Sequence, residues 1–375
     1  MNNVPTAAEI AARARQVREK TVADLPGMIE QAKISLASKG CRVYVAQDAA
    51  AALDYLAEAL RGKKTAVQSR ALAAGEIGLA PFLAGKGMTV TRSNAGEWVL
   101  SLLGRPPAHP RRPAAGLERL LTPAVLNKIV EEGGLRPYLS AAPAGIAAPA
   151  ETAPSAEMAP AAGIAPPASE VFEAVRKKIR QAMLEAEVGI TGADAVAVET
   201  GTIFLAEDDG DARIASNLPY THVVVAGVEK LTGTIADALA VIRAVSLFGF
   251  GRPLTRYVTG ISGPSRTADI EFKITRGMHG PKEVHVVLLD NGRMHAAPNG
   301  FAEALYCLHC GFCLGPAAEP GPPQTCPAPC WPYPGAVGKL LAALLGNGRR
   351  RPVVREEEFS GCPLGISIPE IIKGN

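Results

Sequence analysis

Three cysteines in the run Cys307-Leu308-His309-Cys310-Gly311-Phe312-Cys313 carry the most specific chemistry in this chain. The spacing C-x2-C-x2-C lets a short loop wrap three thiolates around a cubane iron–sulfur cluster without regular secondary structure. In two-cluster ferredoxins the fourth thiolate comes from the Cys-Pro of a distant motif. Here Cys362-Pro363 stands near the end of the chain as the natural fourth corner, and Cys326-Pro327 competes with it. An uninterrupted motif would read C-x2-C-x2-C-x3-C-P, but a Pro-rich insert, residues 314–325, follows Cys313. No second triplet precedes Cys362. The expectation is one [4Fe-4S] cluster rather than two. The rival is zinc: Cys307 and Cys310 with Cys326 and Cys330 resemble a zinc ribbon, a reading that leaves Cys313 and Cys362 unexplained.

A second constellation lies in the middle of the chain. Glu199, Thr200, Gly201 and Thr202 fall at an expected strand end, and Asn217, His222, Glu229 and Lys230 fall near neighbouring strands. Open parallel sheets bind ligands outside the carboxyl ends of their strands. On that reading Thr200, Gly201, Thr202 and His222 form a crevice for an anionic ligand, with Glu199 as a base. The plain alternatives are a turn between strands and a hydrogen-bonded strand histidine. Arg293, after the run Val286–Leu289 and the turn at Asp290-Asn291-Gly292, is either an anion contact or a turn residue. Cys41, far from the other six cysteines, reads as a buried structural thiol.

The elements that position these groups alternate. Helices are expected over 6–20, 25–38, 49–60, 71–83, 171–187 and 234–245, and strands over 43–46, 65–69, 88–91, 195–198, 202–206, 222–228 and 284–289. This βαβ rhythm predicts an α/β domain with a mainly parallel sheet covered on both faces. Between its halves lies a run of Ala, Pro, Gly, Ser, Thr and Glu without aromatics, which predicts a linker. The expected organisation is 1–140 as the first part of the domain, 141–168 as linker, 169–298 as its remainder, and 299–375 as a separate cluster-binding module.

Composition bounds the function. The chain has 375 residues, 47% hydrophobic and 20% charged, with a formal net charge of +3. Nothing in that balance points to nucleic acid. No run reaches the ~18 apolar residues of a membrane span, no Walker loop or G-x-G-x-x-G follows a strand, and clustered thiols suit a cytoplasmic, reducing setting.

The segment 190–231, with VETGT, its acidic turn and ARIASNLPYTHVVVAGVEKL, resembles the LUD domain of the lactate-utilisation family. HVVLLDNGR at 285–293 resembles the end of that domain in the LutB-like branch. ALYCLHCGFC at 304–313, the Trp-Pro-Tyr-Pro-Gly of 331–335 and CPLGISIPEII at 362–372 resemble the ferredoxin-like tail that follows it. GEIGL at 75–79 and the surroundings of His109 are weaker matches. The resemblance implies an α/β fold of the NagB/ribose-phosphate isomerase/CoA-transferase kind with a C-terminal ferredoxin-like iron–sulfur tail. It also implies an electron-transfer subunit of a system oxidising L-lactate or a related 2-hydroxy acid, with partner dehydrogenase or redox subunits. The missing second triplet, the interrupted first motif and the linker depart from the family pattern. A redox subunit of an oxidoreductase complex is preferred over a stand-alone enzyme acting through Glu199. The alternative is a metabolite-binding or assembly protein with a degenerate or zinc-binding tail.

Overall fold

The computed structural model describes residues 4–107, 109–139, 166–268, 274–315, 332–335, 337–338, 340–341 and 361–366. Its frame is a six-stranded sheet in the order β1-β12-β7-β4-β2-β3, every neighbouring pair parallel. These strands are Arg42–Ala46 (β1), Thr65–Gln68 (β2), Thr89–Arg92 (β3), Val188–Thr191 (β4), Thr221–Gly227 (β7) and Glu283–Leu289 (β12). Segments on both sides of the expected linker thus interleave in one sheet. Residues 141–165 of that linker lie outside the described residues.

The adjacent strands β7 and β12 carry continuous apolar runs, Val223–Gly227 and Val286–Leu289, because both of their faces are covered. Val223 and Val225 of β7, with Val287 and Leu289 of β12, pack under the helices Ala49–Ala59, Leu72–Glu76 and Leu79–Gly85. Their alternates Val224, Ala226, Val286 and Leu288 face the helices Ala7–Ala23, Leu25–Ser38 and Ile235–Phe250. The first of these helices starts where the sequence signals it: Thr6 and Glu9 form a reciprocal capping box.

Two features differ from the sequence reading. The strands Ala195–Ala197 (β5) and Thr202–Glu207 (β6) are not part of the parallel sheet. They form a second sheet with Leu231–Thr232 (β8) and Tyr257–Ile261 (β9), in the order β8-β5-β6-β9, and β5 pairs β6 antiparallel. The physical reason is the short connection through Glu199-Thr200-Gly201: parallel neighbours need a crossover of about a dozen residues or more. A small antiparallel pair, Arg266–Thr267 (β10) with Thr275–Arg276 (β11), completes the strands of the described residues. The second difference is β4, which sequence periodicity does not reveal because Gly189 interrupts it. That glycine is required: a Cβ there would stand 1.7 Å from the Ala215 carbonyl oxygen, so the helix Asp211–Asn217 can lie directly on the strand.

The described parts of 299–375 do not build a core of their own. Leu305, Leu308, Cys310, Tyr333, Leu364 and Ile366 join the core that also holds Val17, Ile29, Val224 and Val286. So few apolar residues cannot bury enough surface alone.

Candidate functional site

The cysteine loop begins where the helix Ala302–Leu305 ends. His309, Gly311 and Gly315 have positive φ, and a single 3-10 turn, Phe312–Leu314, lies between the glycines. Gly311 cannot be replaced without movement, because a Cβ would meet His109 Nε2 at 2.6 Å and Pro110 Cδ at 2.8 Å. The close approach that this glycine allows is therefore to the buried ring of His109. The His109 Nδ1 accepts from the Arg111 and Arg112 amides, both at 3.1 Å. Burial and the nearby arginines push the pKa of that imidazole down to about 4.

Backbone amides turn toward sulfur in this loop: His309 N donates to Cys307 Sγ at 3.3 Å, and the Phe312 amide to Cys310. Cys362 joins the triplet from a different stretch of chain. Gly361 lies against Cys313, its Cβ position 3.7 Å from the Cys313 Cα. The segment is pinned by Arg15, whose Nη1 donates to the Leu364 and Gly365 carbonyls at 2.9 and 2.8 Å while Nη2 pairs with Glu303 at 2.5 Å. The thiols feel one another: Cys307 is perturbed by Cys310 and Cys362, and Cys313 by Cys310 and Cys362. Burial raises the pKa of Cys307 and Cys310 above the usual thiol range and that of Cys313, the solvent-facing member, to about 11. Among the described residues, no three His, Cys, Asp or Glu side chains converge on one ion position. Cys326 and Cys330 lie outside the described residues.

Directly beneath the loop is a buried network of charges. Arg111 Nη2 pairs with Asp194 at 2.5 Å, and the same side chain donates to the Leu308 and His309 carbonyls at 3.2 Å each. Arg18 donates to the Asp194 carbonyl at 3.0 Å and to that of Glu229. Arg293 spans two carboxylates, Glu229 at 2.6 Å through Nε and Glu76 at 2.6 Å through Nη2. Tyr333 donates to Glu76 at 2.7 Å and packs its ring on His309, centroids 4.7 Å apart. Burial opposes ionisation of Glu229 and Asp194, but Arg293 and Arg111 respectively overcome it and hold both carboxyls below their ordinary range. The same crowd of cations, added to burial, drives the His309 pKa well down, leaving the ring neutral.

Lys230 shares this region. Its ammonium stands 3.8 Å from Glu229 and makes no hydrogen bond among the described residues. Burial pulls its pKa down to about 8, with Glu229 opposing that fall. Together with Arg70, Arg111, Asp194 and Tyr333, Lys230 lines a cavity of about 40 Å³. The cavity sits where loops after neighbouring strands diverge: β2 leads outward to β3, whereas β4 leads the other way toward β7 and β12. Such a switch point is where doubly wound sheets take ligands.

The family model described as the LUD domain matches residues 29–289. The chain belongs to the LUD domain family. It is similar to the uncharacterized electron transport protein YkgF of Escherichia coli K12, 29% identical over 346 residues, covering 89% of this chain and 63% of that protein. Lactate utilization protein B of Macrococcus caseolyticus is 28% identical over 343 residues, covering 88% and 62%. The protein of that name from an Exiguobacterium species is 26% identical over 373 residues, covering 95% and 69%. The chain thus spans under two thirds of the length of the first two. A crystal structure of a DUF162 family protein from Deinococcus radiodurans overlaps at TM-score 0.34 and 17% identity, covering 71% of this chain and 98% of that one; so loose a likeness carries no argument.

Within the LUD domain, the residues singled out from sequence do not fall together. Glu229 and Lys230 line the switch-point cavity. Glu199, Thr200, Gly201 and Thr202 form the turn between β5 and β6: Glu199 accepts from the Ile235 amide at 3.3 Å, and Thr200 donates to Thr202 at 2.9 Å. His222 is at the start of β7, its Nε2 2.8 Å from Thr191 Oγ1, and burial lowers its pKa to about 3. None of these last five lines the cavity. Asn217 closes its own helix, donating to the Arg213 carbonyl at 2.8 Å. Cys41 is buried, which raises its thiol to about 11. Sequence reasoning missed Arg18, Arg70, Arg111 and Asp194. Their one signal is charge placed beside apolar runs, which no fixed spacing marks.

The acidic turn after β6 also titrates unusually. Glu207 accepts from the Ala212 and Arg213 amides at 2.7 and 2.8 Å. Burial first, then Asp211, raise its pKa to about 7. A carboxyl raised in the folded state contributes stability that is fully present below its unfolded pKa of 4.5 and lost as pH rises through about 7. Glu207→Gln keeps an acceptor without the charge. Thermal melts should show the variant gaining on the parent between pH 4.5 and 7.5, by roughly 1 kcal/mol after allowing for solvent screening. A difference independent of pH would contradict this assignment.

Proposed function

We propose that this protein is an iron–sulfur electron-transfer subunit whose cluster is held by Cys307, Cys310, Cys313 and Cys362. One observation carries this reading: the segment that holds Cys362, distant in sequence, lies against the C-x2-C-x2-C loop, with Gly361 beside Cys313. The donor set fits the group. A C-x2-C-x2-C loop and a Cys-Pro from a distant stretch match the four corners of a cubane, whereas zinc on Cys307, Cys310, Cys326 and Cys330 leaves Cys313 and Cys362 unused. The raised pKa values of Cys307, Cys310 and Cys313 fit as well, since metal binding supplies the charge that deprotonates buried thiols.

Bound there, a [4Fe-4S] cluster would take up and release single electrons. The chain's own residues set its surroundings. The His309 and Phe312 amides stabilise negative charge on sulfur, and Arg111 fixes the loop through two carbonyls. Hydrogen bonds to sulfur and local exposure are what tune such potentials. Cys313 and the 52% exposed Phe312 mark the side open to a redox partner. The names of the relatives, electron transport and lactate utilization, support a redox role in the use of lactate; within the proposal, that role is oxidation of lactate or a related 2-hydroxy acid with a dehydrogenase as partner. Among the described residues no helix is long and apolar enough to cross a membrane. Anaerobic potentiometric titration tests the reading. One reversible electron per chain, bleaching the visible absorbance, is the expected result; no redox transition would defeat it.

A further inference from the structure

Lys230 is a buried cation without adequate company. Its side chain is 9% exposed, its nearest carboxylate oxygen is 3.8 Å away, and its N–H groups meet no acceptor among the described residues. Glu229, the carboxylate in question, is already bonded to Arg293 at 2.6 Å. Arg70, on the loop after β2, is half-buried. It donates to the Ala206 and Arg111 carbonyls at 3.1 and 3.5 Å and rests on the Phe250 ring, but pairs with no carboxylate among the described residues. Both side chains line the switch-point cavity with Arg111, with the carboxylates Asp194, Asp211 and Glu229, and with Gly192 and Gly227. Leaving buried donors unmet is costly, and charged donors more so. Of the lining carboxylates, Asp194 is taken by Arg111, Glu229 by Arg293, and Asp211 accepts from Ser93, so an anion inside the cavity would meet the Lys230 ammonium and the Arg70 guanidinium, neither within 3.5 Å of a carboxylate among the described residues.

We propose that the cavity at the β2/β4 switch point binds a small oxyanion, held by the Lys230 ammonium and the Arg70 guanidinium. The volume limits the ligand. A cavity of about 40 Å³, where about 10–15 Å³ seats one water, admits a short-chain carboxylate or inorganic phosphate and nothing much larger. Charge-assisted hydrogen bonds to both cations supply the binding. Arg111 and Tyr333 line the same cavity and touch the cysteine loop, so an occupant sits next to the thiols. This goes beyond the electron-transfer reading and does not depend on it.

Isothermal titration of acetate, lactate, pyruvate and phosphate into the full chain at matched ionic strength tests the site. At least one anion should bind saturably at one site per chain, and Lys230→Met and Arg70→Met should each weaken it by tenfold or more. Preference for phosphate or for a carboxylate identifies the source. Absence of saturable binding to wild type overturns the proposal, as does unchanged affinity in either folded variant. Iron assayed on the same samples separates the two claims: full iron without anion binding defeats only this one, and binding without iron defeats only the electron-transfer reading.

Discussion

Cys362→Ser, purified without oxygen, is expected to lose at least nine tenths of its iron and sulfide while Cys41→Ser keeps both. Even residues outside a ligand set cost about 10–100-fold in metal affinity when changed, and a direct ligand should cost more. The chain around Cys362 is held independently of the thiol. Leu364 and Ile366 are 4% and 2% exposed, and Arg15 grips the Leu364 and Gly365 carbonyls. The variant should thus melt within about 3 °C of metal-free wild type, since surface-like changes usually stay within ±0.5 kcal/mol. Cys326→Ser is the matched comparison, because Cys326 is the competing fourth ligand from sequence. Retention of full iron in Cys362→Ser, with loss in Cys326→Ser, would reverse the assignment.

Arg293→Met should be the most destabilising single change among the charged residues discussed. Its guanidinium is 1% exposed and holds Glu76 and Glu229, themselves 0% and 3% exposed as side chains. Removing one member of a buried ion pair leaves an uncompensated charge, at about 3–5 kcal/mol; here two carboxylates lose their arginine, Glu76 keeping only the neutral donors Tyr333 and Asn291 and Glu229 only Lys230 at 3.8 Å. At about 2–4 °C per kcal/mol for a domain of this scale, Tm should fall by roughly 10 °C. Glu76→Gln in the Arg293→Met background should recover part of that loss, because one stranded charge is removed. The sign with pH is fixed as well. Stranded carboxylates have raised folded pKa values, so the deficit should be smallest below about pH 4.5 and grow as pH rises. A melt unchanged at pH 8 would mean that the network does not bear on stability.

What could be read from the residues depended on how locally each feature is written. The cysteine triplet is contiguous, so its spacing alone predicts its loop, whereas the contact of Gly361 with Cys313 joins stretches far apart in sequence and no local spacing writes it. The alternating apolar runs at 222–228 and 284–289 announced buried parallel strands, which β7 and β12 are. The antiparallel second sheet was hidden because β5 and β6 are as apolar as the central strands, and only their short connection betrays the difference. Gly189 concealed β4 for the same reason that it is needed there, the absence of a side chain. The switch-point cavity is the least legible. Arg70, Arg111, Asp194 and Lys230 come from separate loops, and only the sheet order brings them together. Glu199, conspicuous in sequence, lies in the β5–β6 turn, its carboxylate accepting from the Ile235 amide.

Metal and sulfide content measures most directly the cubane cluster proposed on four cysteines of this LUD-family chain. Iron and acid-labile sulfide should be assayed on anaerobically purified protein, with electron paramagnetic resonance after dithionite reduction. About four iron and four sulfide per chain, with a signal from one reduced cluster, is the predicted result. About one zinc per chain and no sulfide would contradict it and leave a structural metal site in place of an electron carrier.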